Sequence, residues 1–174
     1  MHARMMHREV MTNLNLTWPT LAAALGTGLV AGMFYAFSSF VMPALGRLPA
    51  PHGVAAMQSI NVTVLTPSFL AIFLGSAVVA AALGVHAVIY WDRPGAALRL
   101  AGAGLYLVGT IAVTRLGNIP MNNAIAALDP ATPEAAAYWA KYLSTWVMWN
   151  TVRTAAALAA AGAFAWSLRT AAAA

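Results

Sequence analysis

The chain has 174 residues, of which 61% are hydrophobic and only 7% are charged, with a net charge of +5. An ordinary soluble domain carries about 25% charged residues, so this composition excludes a soluble protein and predicts an integral membrane protein of one compact domain. The absence of cysteine excludes disulfides and thiolate metal sites, and the nine Lys and Arg form no basic stripe that would bind nucleic acid.

The first long apolar stretch, at 18–42, contains no charged residue. A helix needs about 20 mostly apolar residues to cross a bilayer, so we predict a first span here, after a polar tail at 1–16. The stretch is longer than the h-region of a signal peptide, typically about 7–15 residues, so we expect it to be retained. Gly28, Gly32 and Ala36 form a row of small residues that should let another helix approach closely.

Three more spans are predicted, at 64–91, 100–114 and 143–168. The third is short unless it continues past Arg115, and Pro120, which cannot donate a helical hydrogen bond, is expected to end it. The predicted fold class is therefore all-α: a bundle of four transmembrane helices.

The Lys and Arg of short connecting segments set the orientation of a membrane protein. Five fall on the side of the chain termini and two or three on the other: Arg4, Arg8, Arg93, Arg99 and Arg169, against Arg47, Lys141 and, at the boundary, Arg115. We therefore predict cytoplasmic termini and outer loops at 43–63 and 115–142. The bundle should occupy 17–169, followed by a tail at 170–174, in the inner (cytoplasmic) membrane. The preference for Arg, Ala and Gly is typical of a GC-rich bacterial source.

The last span should belong to a helix that begins outside the membrane. Thr132 is its predicted N-cap, with Pro133 and Glu134 in the first turn. One face of this helix carries aromatic and polar residues at a spacing near seven: Trp139, Tyr142, Trp146, either Trp149 or Asn150, and Arg153. Trp139 and Tyr142 would equally suit an aromatic belt at the membrane surface.

Polar residues at membrane depth gather at one end of the predicted bundle. Three stretches contribute: Gln58 and Asn61 before the second span, Arg115, Asn118 and Asn122 at the end of the third, and Trp146, Trp149, Asn150 and Arg153 in the outer half of the fourth. We predict one outward-facing pocket with Trp146 or Trp149 in its wall. Arg115 or Asn118 should lie within about 6 Å of Asn150 or Arg153, the reach of one bridging water.

Arg153 is the sharpest indication of function, because a charge inside a membrane is expensive. No Asp or Glu lies in any predicted span, so its partners must be carbonyls, amides, water or an anionic ligand. Arg153 could instead staple loops to helices, and Arg115 could snorkel to the membrane surface. Asn118 and Asn122 could serve only to cap a helix that ends at Pro120.

The sequence offers no set of ligands for a zinc or di-iron site, and haem binding would depend on a single axial histidine. His52 and His86 lie on opposite predicted sides of the membrane, and His2 and His7 belong to the polar tail. There is no HxxxH or Glu-x-x-His pattern of the kind that binds zinc or a di-iron centre. We therefore expect no metal and no cofactor.

Four motifs occur in order around the predicted spans: PAL at 43–45, MQSIN at 57–61, NIPMN at 118–122 and WVMWNTVR at 146–153. Together they resemble the anthrone oxygenase-like family of small four-helix membrane proteins, from about Gly32 to Arg153. The proteins that give this family its name oxidise an anthrone to an anthraquinone with O2, without an evident cofactor. The resemblance implies that these positions form the site: Gln58, Asn61, Asn118, Asn122, Trp146, Asn150 and Arg153.

This resemblance implies a substrate that loses a proton to give an electron-rich enolate, which reduces O2 directly. Arg153, together with Arg115, would stabilise the developing oxyanion in a low-dielectric site. Trp146 and Trp149 would enclose the aromatic rings, and the amide side chains would orient polar substituents. His52 is the one histidine on the predicted outer side and is the candidate base. Bulk water could remove the proton instead.

Two other functions fit the same residues. The chain could be a non-enzymatic membrane protein that binds a small molecule or assists transport, with its arginines holding an anion. It could also be a purely structural membrane subunit. The expected partners are the lipid bilayer, a hydrophobic aromatic small molecule and O2, and the sequence does not determine the oligomeric state.

Overall fold

The computed structural model describes residues 2–172 of the chain, with side chains described at 16–170. Every regular element in this part of the chain is helical, which confirms the all-α prediction. We label the wider, π-helical segments separately from the α-helices. The elements in chain order are α1 (His2–Ala36), π1 (Phe37–Val41), α2 (Met42–Leu45), α3 (Ala50–Thr63), α4 (Pro67–Ile89), α5 (Ala96–Tyr106), π2 (Leu107–Ala112), π3 (Thr114–Asn118), α6 (Ile119–Ala126) and α7 (Pro133–Ala172).

Three helical runs are long and apolar enough to cross a membrane: Leu16–Leu45, Pro67–Ile89 and Ala96–Ala126. They coincide with the first three predicted spans. The fourth predicted span lies within α7, whose apolar half is largely alanine and is interrupted by Arg153. The fourth crossing and the cytoplasmic position of the termini stay predictions. So does the division into tails and a central bundle, although α1 already begins at His2.

Pro120 does not end the third span, so that prediction is wrong. The helical run continues from α5 through π2 and π3 into α6, where Pro120 is the second residue. The backbone of π3 is wound more widely, and the Ile119 N–H bonds to the Thr114 carbonyl five residues back. A wide turn just before a proline gives its ring room against the preceding carbonyls, so the chain stays helical at the loss of one hydrogen bond.

The segments predicted as outer loops are also largely helical. Residues 43–63 contain the end of α2 and all of α3, and residues 115–142 contain most of π3, all of α6 and the first turns of α7. Pro51 and Pro133 lie in first helical turns, where the missing N–H costs nothing, whereas Pro130 lies in a turn of the chain.

The four long helical runs form a ring, in which α1 and α5 each pack against both α4 and α7. One apolar core lies between them, around Val30, Phe34, Phe73, Tyr106 and Phe164. The Tyr106 hydroxyl donates to the Phe73 carbonyl at 3.0 Å and so ties α5 to α4. A second core forms where α3 and α6 pack on the first turns of α7, from Met42, Val54, Met57, Ile125, Trp139 and Tyr142. The candidate site lies between these two cores.

Small residues bring the helices together at some of the predicted positions. A Cβ atom on Gly109 would lie 2.5 Å from the Ala156 Cβ, and one on Gly102 would lie 3.0 Å from the Phe164 ring. These glycines therefore let α5 and π2 approach α7 closely. Gly28 is close to Ala161, at 3.7 Å, whereas Gly32 has no neighbour within 4 Å.

The last helix confirms its predicted start and length. The Thr132 hydroxyl accepts from the Ala135 N–H at 3.2 Å, and α7 then runs unbroken for 40 residues, about 60 Å at 1.5 Å per residue. The predicted face is buried, with Asn150 rather than Trp149 as the fourth member: Trp139, Tyr142, Trp146, Asn150 and Arg153. Because Trp139 and Tyr142 are packed inside, they do not form a surface belt.

Candidate functional site

A cavity of about 300 Å³ lies at the end of the bundle where α1 ends and α4 begins. Its wall is formed by the second half of α1, by π1 and α3, by the first half of α4, and by π3, α6 and α7. Most of the lining is apolar or aromatic and includes Phe34, Phe37, Phe69, Phe73 and Trp146. The polar side chains in the lining are Asn61, Thr114, Asn122, Asn150 and Arg153.

Arg153 is 5% exposed and lies in the cavity wall. Its guanidinium carbon is 4.0 Å from the centre of the Phe34 ring and 5.5 Å from that of Trp146. Nη1 donates to the Thr114 hydroxyl at 3.1 Å and Nη2 to the Asn150 Oδ1 at 2.5 Å, while Nε has no partner among the described residues. The sequence offers no Asp or Glu in any of the three apolar runs or at 143–168. The guanidinium is thus held by neutral groups and aromatic faces alone.

Asn150 fixes the position of this guanidinium. It is fully buried, and its Nδ2 donates to the Phe34 carbonyl at 2.6 Å and to the Ser38 hydroxyl at 2.7 Å. Its Oδ1 is therefore turned towards Arg153, because the amide has its donors engaged on α1 and π1. These contacts join α7 to the place where α1 widens into π1, and such π-helical segments are frequent at functional sites.

Thr114 connects the third helical run to Arg153 through a hydrogen bond. Its hydroxyl donates to the Thr110 carbonyl at 2.7 Å and accepts from the Arg153 Nη1. The hydroxyl is thus oriented by its own helix to present a lone pair to the guanidinium. Thr114 makes the contact with Arg153 between these two spans, and Asn118 makes a second contact, with the Trp146 carbonyl.

Asn122 organises the aromatic part of the wall. Its Oδ1 accepts two hydrogen bonds, from the Tyr142 hydroxyl and from the Trp146 Nε1, each at 2.7 Å. Trp139, Tyr142 and Trp146 form a column along α7, with ring centres 5.6 and 5.5 Å apart and nearly parallel planes. Burial raises the pKa of the Tyr138 hydroxyl, which lies on α7 before the predicted fourth span. This hydroxyl therefore stays protonated at neutral pH and can donate a hydrogen bond. The Trp146 indole is therefore a fixed flat surface beside the cavity.

The Asn61 side chain lines the cavity and lies beside the Tyr142 hydroxyl. It belongs to the last turn of α3. A polar group without a hydrogen bond is costly in an apolar wall, so this position is suited to a ligand with a polar substituent.

Three predicted substrate-binding residues do not line the cavity and lie behind the residues that do. Gln58 Nε2 donates to the Ile125 and Leu128 carbonyls at 2.8 and 2.9 Å and so caps the end of α6. Asn118 is buried, and its Nδ2 donates to the Trp146 carbonyl at 3.2 Å. Trp149 packs beside Gly117, where a Cβ would come within 2.9 Å of the indole. All three hold α6 and π3 against their neighbours.

Two predicted catalytic residues, Arg115 and His52, do not line the cavity, and their catalytic role stays a prediction. Arg115 is exposed on π3, whose buried residues are Gly117 and Asn118. His52 is exposed on α3, whose buried residues are Gly53, Val54 and Met57. In both cases the helix turns its small or apolar residues inward. The charged or polar side chain faces outward, where its solvation costs less.

The cavity residues that were not predicted have only weak signals in the sequence. Phe69 and Phe73 stack at 5.4 Å and share one face of α4 through their four-residue spacing, and Phe34 and Ser38 have the same spacing at the end of α1. Thr114 has no distinguishing mark, because hydroxyls in apolar helices commonly bond to their own backbone. Among the described side chains no three His, Asp or Glu residues cluster as a metal site would require.

Comparison with known protein families identifies a match over the second half of the chain. A family model described as Anthrone oxygenase matches residues 67–163, which is 97 of the 174 residues. The match runs from the start of α4 to beyond Arg153 on α7 and includes Thr114, Asn122 and Asn150. No curated protein and no solved structure matches the chain.

Proposed function

The chain belongs to the anthrone oxygenase family, and from that premise we propose that it oxidises an acidic, anthrone-like aromatic with O2 inside the membrane, without a cofactor. The observation that carries the proposal is Arg153. Its charge is buried in an apolar, aromatic cavity with no carboxylate partner, which is the arrangement that an anionic aromatic ligand would complete.

The reaction balances without any further reagent. The anthrone loses a proton from its methylene carbon to give an enolate, which passes an electron to O2 and then bonds to the reduced oxygen. With one proton this gives a hydroperoxide on the former methylene carbon. Loss of the second hydrogen of that carbon, with cleavage of the O–O bond, forms the new carbonyl. One anthrone and one O2 thus yield one anthraquinone and one water.

The residues of the cavity support this chemistry in distinct ways. Arg153, held by Thr114 and Asn150, would stabilise the enolate oxygen, and it is already positioned before the charge develops. The flat face of Trp146, fixed by Asn122, would pack on the aromatic rings. The Asn61 side chain, which lines the same cavity, would contact a polar substituent of the substrate. The apolar remainder would pack against the rest of the aromatic rings.

The proton acceptor is the solvent in this proposal. None of the described side chains that line the cavity is His, Asp, Glu or Lys, and His52 is outside it. Arg153 lowers the cost of the anion, so a weak external base suffices for a substrate that is already acidic. The same lack of a base favours a second candidate function, in which the cavity binds an anionic aromatic without turning it over.

Oxygen uptake by the purified protein in lipid nanodiscs separates the two functions. With an anthrone as substrate, the oxygenase consumes one O2 per anthraquinone formed, faster than the reaction without protein. Arg153→Met should lower the rate by about 100-fold or more, the typical cost of removing an oxyanion-stabilising donor. Arg169→Met, exposed near the end of the same helix, should not. Binding of the anthrone without faster O2 uptake would reject the oxygenase and support the binding protein.

A further inference from the structure

The rim of the cavity is formed by apolar side chains that are exposed at the protein surface. Leu65 and Leu74 both line the cavity, yet they are 60% and 50% exposed. Leu70 lies between them on α4 and is half-buried. Leu74 also belongs to the apolar run Pro67–Ile89, about 10 Å along the helix from its start at 1.5 Å per residue. The rim therefore reaches from the end of the bundle into the depth of the membrane.

On this side of the cavity, the first half of α4 contacts only some of the other helices. Along its length α4 packs on α1, α5 and π2, but it makes no comparable contact with α3, π3, α6 or α7 among the described residues. These last four elements carry the polar lining of the cavity. On the α4 side of the cavity, the lining includes Leu70 and Leu74 of this helix and Leu65 just before it.

An opening of the cavity to water would need polar side chains along its rim. The polar residues of the lining are not among the residues that are exposed at the rim. Asn150 and Arg153 are buried, and Asn61, Thr114 and Asn122 are at most half-exposed. A leucine-lined opening at membrane depth is compatible with acyl chains and repels ions.

We propose that the cavity opens sideways into the bilayer along the first half of α4, and that its ligand enters from the lipid as an uncharged, weakly acidic aromatic molecule. The neutral form crosses the leucine rim, and its anion forms only beside Arg153. This identity of the ligand rests on the proposed function. The existence of the opening does not.

Photolabelling tests the opening without any turnover. A small uncharged aryl diazirine is dissolved in the lipid of proteoliposomes that hold the full chain, and its adducts are mapped by mass spectrometry. Adducts on the cavity residues Phe69 and Phe73 are expected in the unmodified chain. Leu74→Trp should remove most of them by filling the rim, whereas Val78→Trp, one turn further along and 70% exposed, should leave them unchanged. Leu74→Ala should increase them, which guards against a loss that comes from misfolding.

Three results would overturn the lateral opening. They are adducts confined to outer positions such as Val78, equal cavity labelling in the Leu74→Trp and Val78→Trp variants, and cavity labelling by a sulfonated diazirine supplied in water. Anthrone oxidation measured on the same samples keeps the two proposals apart. Oxidation without lateral labelling rejects the opening alone, and lateral labelling without oxidation rejects the oxygenase alone.

Discussion

At the scale of the residue, two asparagines position the two groups that face the cavity. Asn150 turns its oxygen to Arg153 because its two donors are engaged on Phe34 and Ser38. Asn122 turns its oxygen to the Tyr142 hydroxyl and the Trp146 indole. Each amide thus holds its partner side chain in one orientation. The Arg153 guanidinium and the Trp146 indole are therefore in position before a ligand binds.

Replacing Asn122 by Leu should destabilise the folded protein. The Tyr142 hydroxyl and the Trp146 Nε1 would both lose their acceptor, at a cost of about 1–3 kcal/mol for each buried donor left unpaired. Asn123→Leu is the matched control, because this neighbour is exposed. Thermal unfolding in detergent, followed by tryptophan fluorescence, measures the difference. Equal midpoints for the two variants would show that the Asn122 hydrogen bonds do not hold the wall.

Sequence alone located the cavity residues whose polarity is anomalous in an apolar segment. Arg153, Asn150, Asn122 and Asn61 stand out for this reason, and all four line the cavity. Thr114 could not be singled out, because a hydroxyl can satisfy itself on its own helix. Whether such a residue also meets an arginine depends on packing between helices.

At the scale of the element, π-helical winding decides which side chains reach the cavity. An α-helix advances by about 100° per residue, so residues three and four apart share a face. The wider turns of π2 and π3 change that angle over Leu107–Ala112 and Thr114–Asn118. The missing N–H of Pro120 was expected to end the third span, and that prediction is wrong because the wide winding of π3 carries the helix past the proline. No single residue in the sequence reveals this winding.

Close packing of π2 on α7 depends on Gly109, and its replacement by Ala should destabilise the bundle. The new methyl group would lie 2.5 Å from the Ala156 Cβ, so the helices must separate, at a typical cost of about 1–3 kcal/mol for overpacking. Gly104→Ala is the control, because nothing lies within 4 Å of its Cβ position. That variant should be neutral or more stable by up to about 1 kcal/mol through helix propensity. Melting temperatures in detergent that fall equally in both variants would contradict the close approach.

At the scale of the whole molecule, the ring of four helical runs is tightly packed at one end and contains the cavity at the other. Composition and apolar run length predicted the all-helical membrane protein and three of its spans, because the bilayer sets a length that can be read directly. Composition and apolar run length do not establish the fourth crossing. The reason is that α7 begins with polar and aromatic residues and carries Arg153 before its alanine-rich part. Helix order around the ring, which creates the cavity, depends on contacts between distant residues such as Tyr106 and Phe73.

The central claim is that the Arg153 cavity stabilises the anion of a bound aromatic acid, and an anaerobic titration tests it most directly. Without O2 the enolate of a bound anthrone accumulates, and its visible absorbance reports ionisation as the pH is raised. The unmodified protein should lower the ionisation midpoint relative to Arg153→Met by about one pH unit or more, which corresponds to about 1.4 kcal/mol of preferential binding of the anion. Identical midpoints in two proteins that both bind the anthrone would contradict the claim.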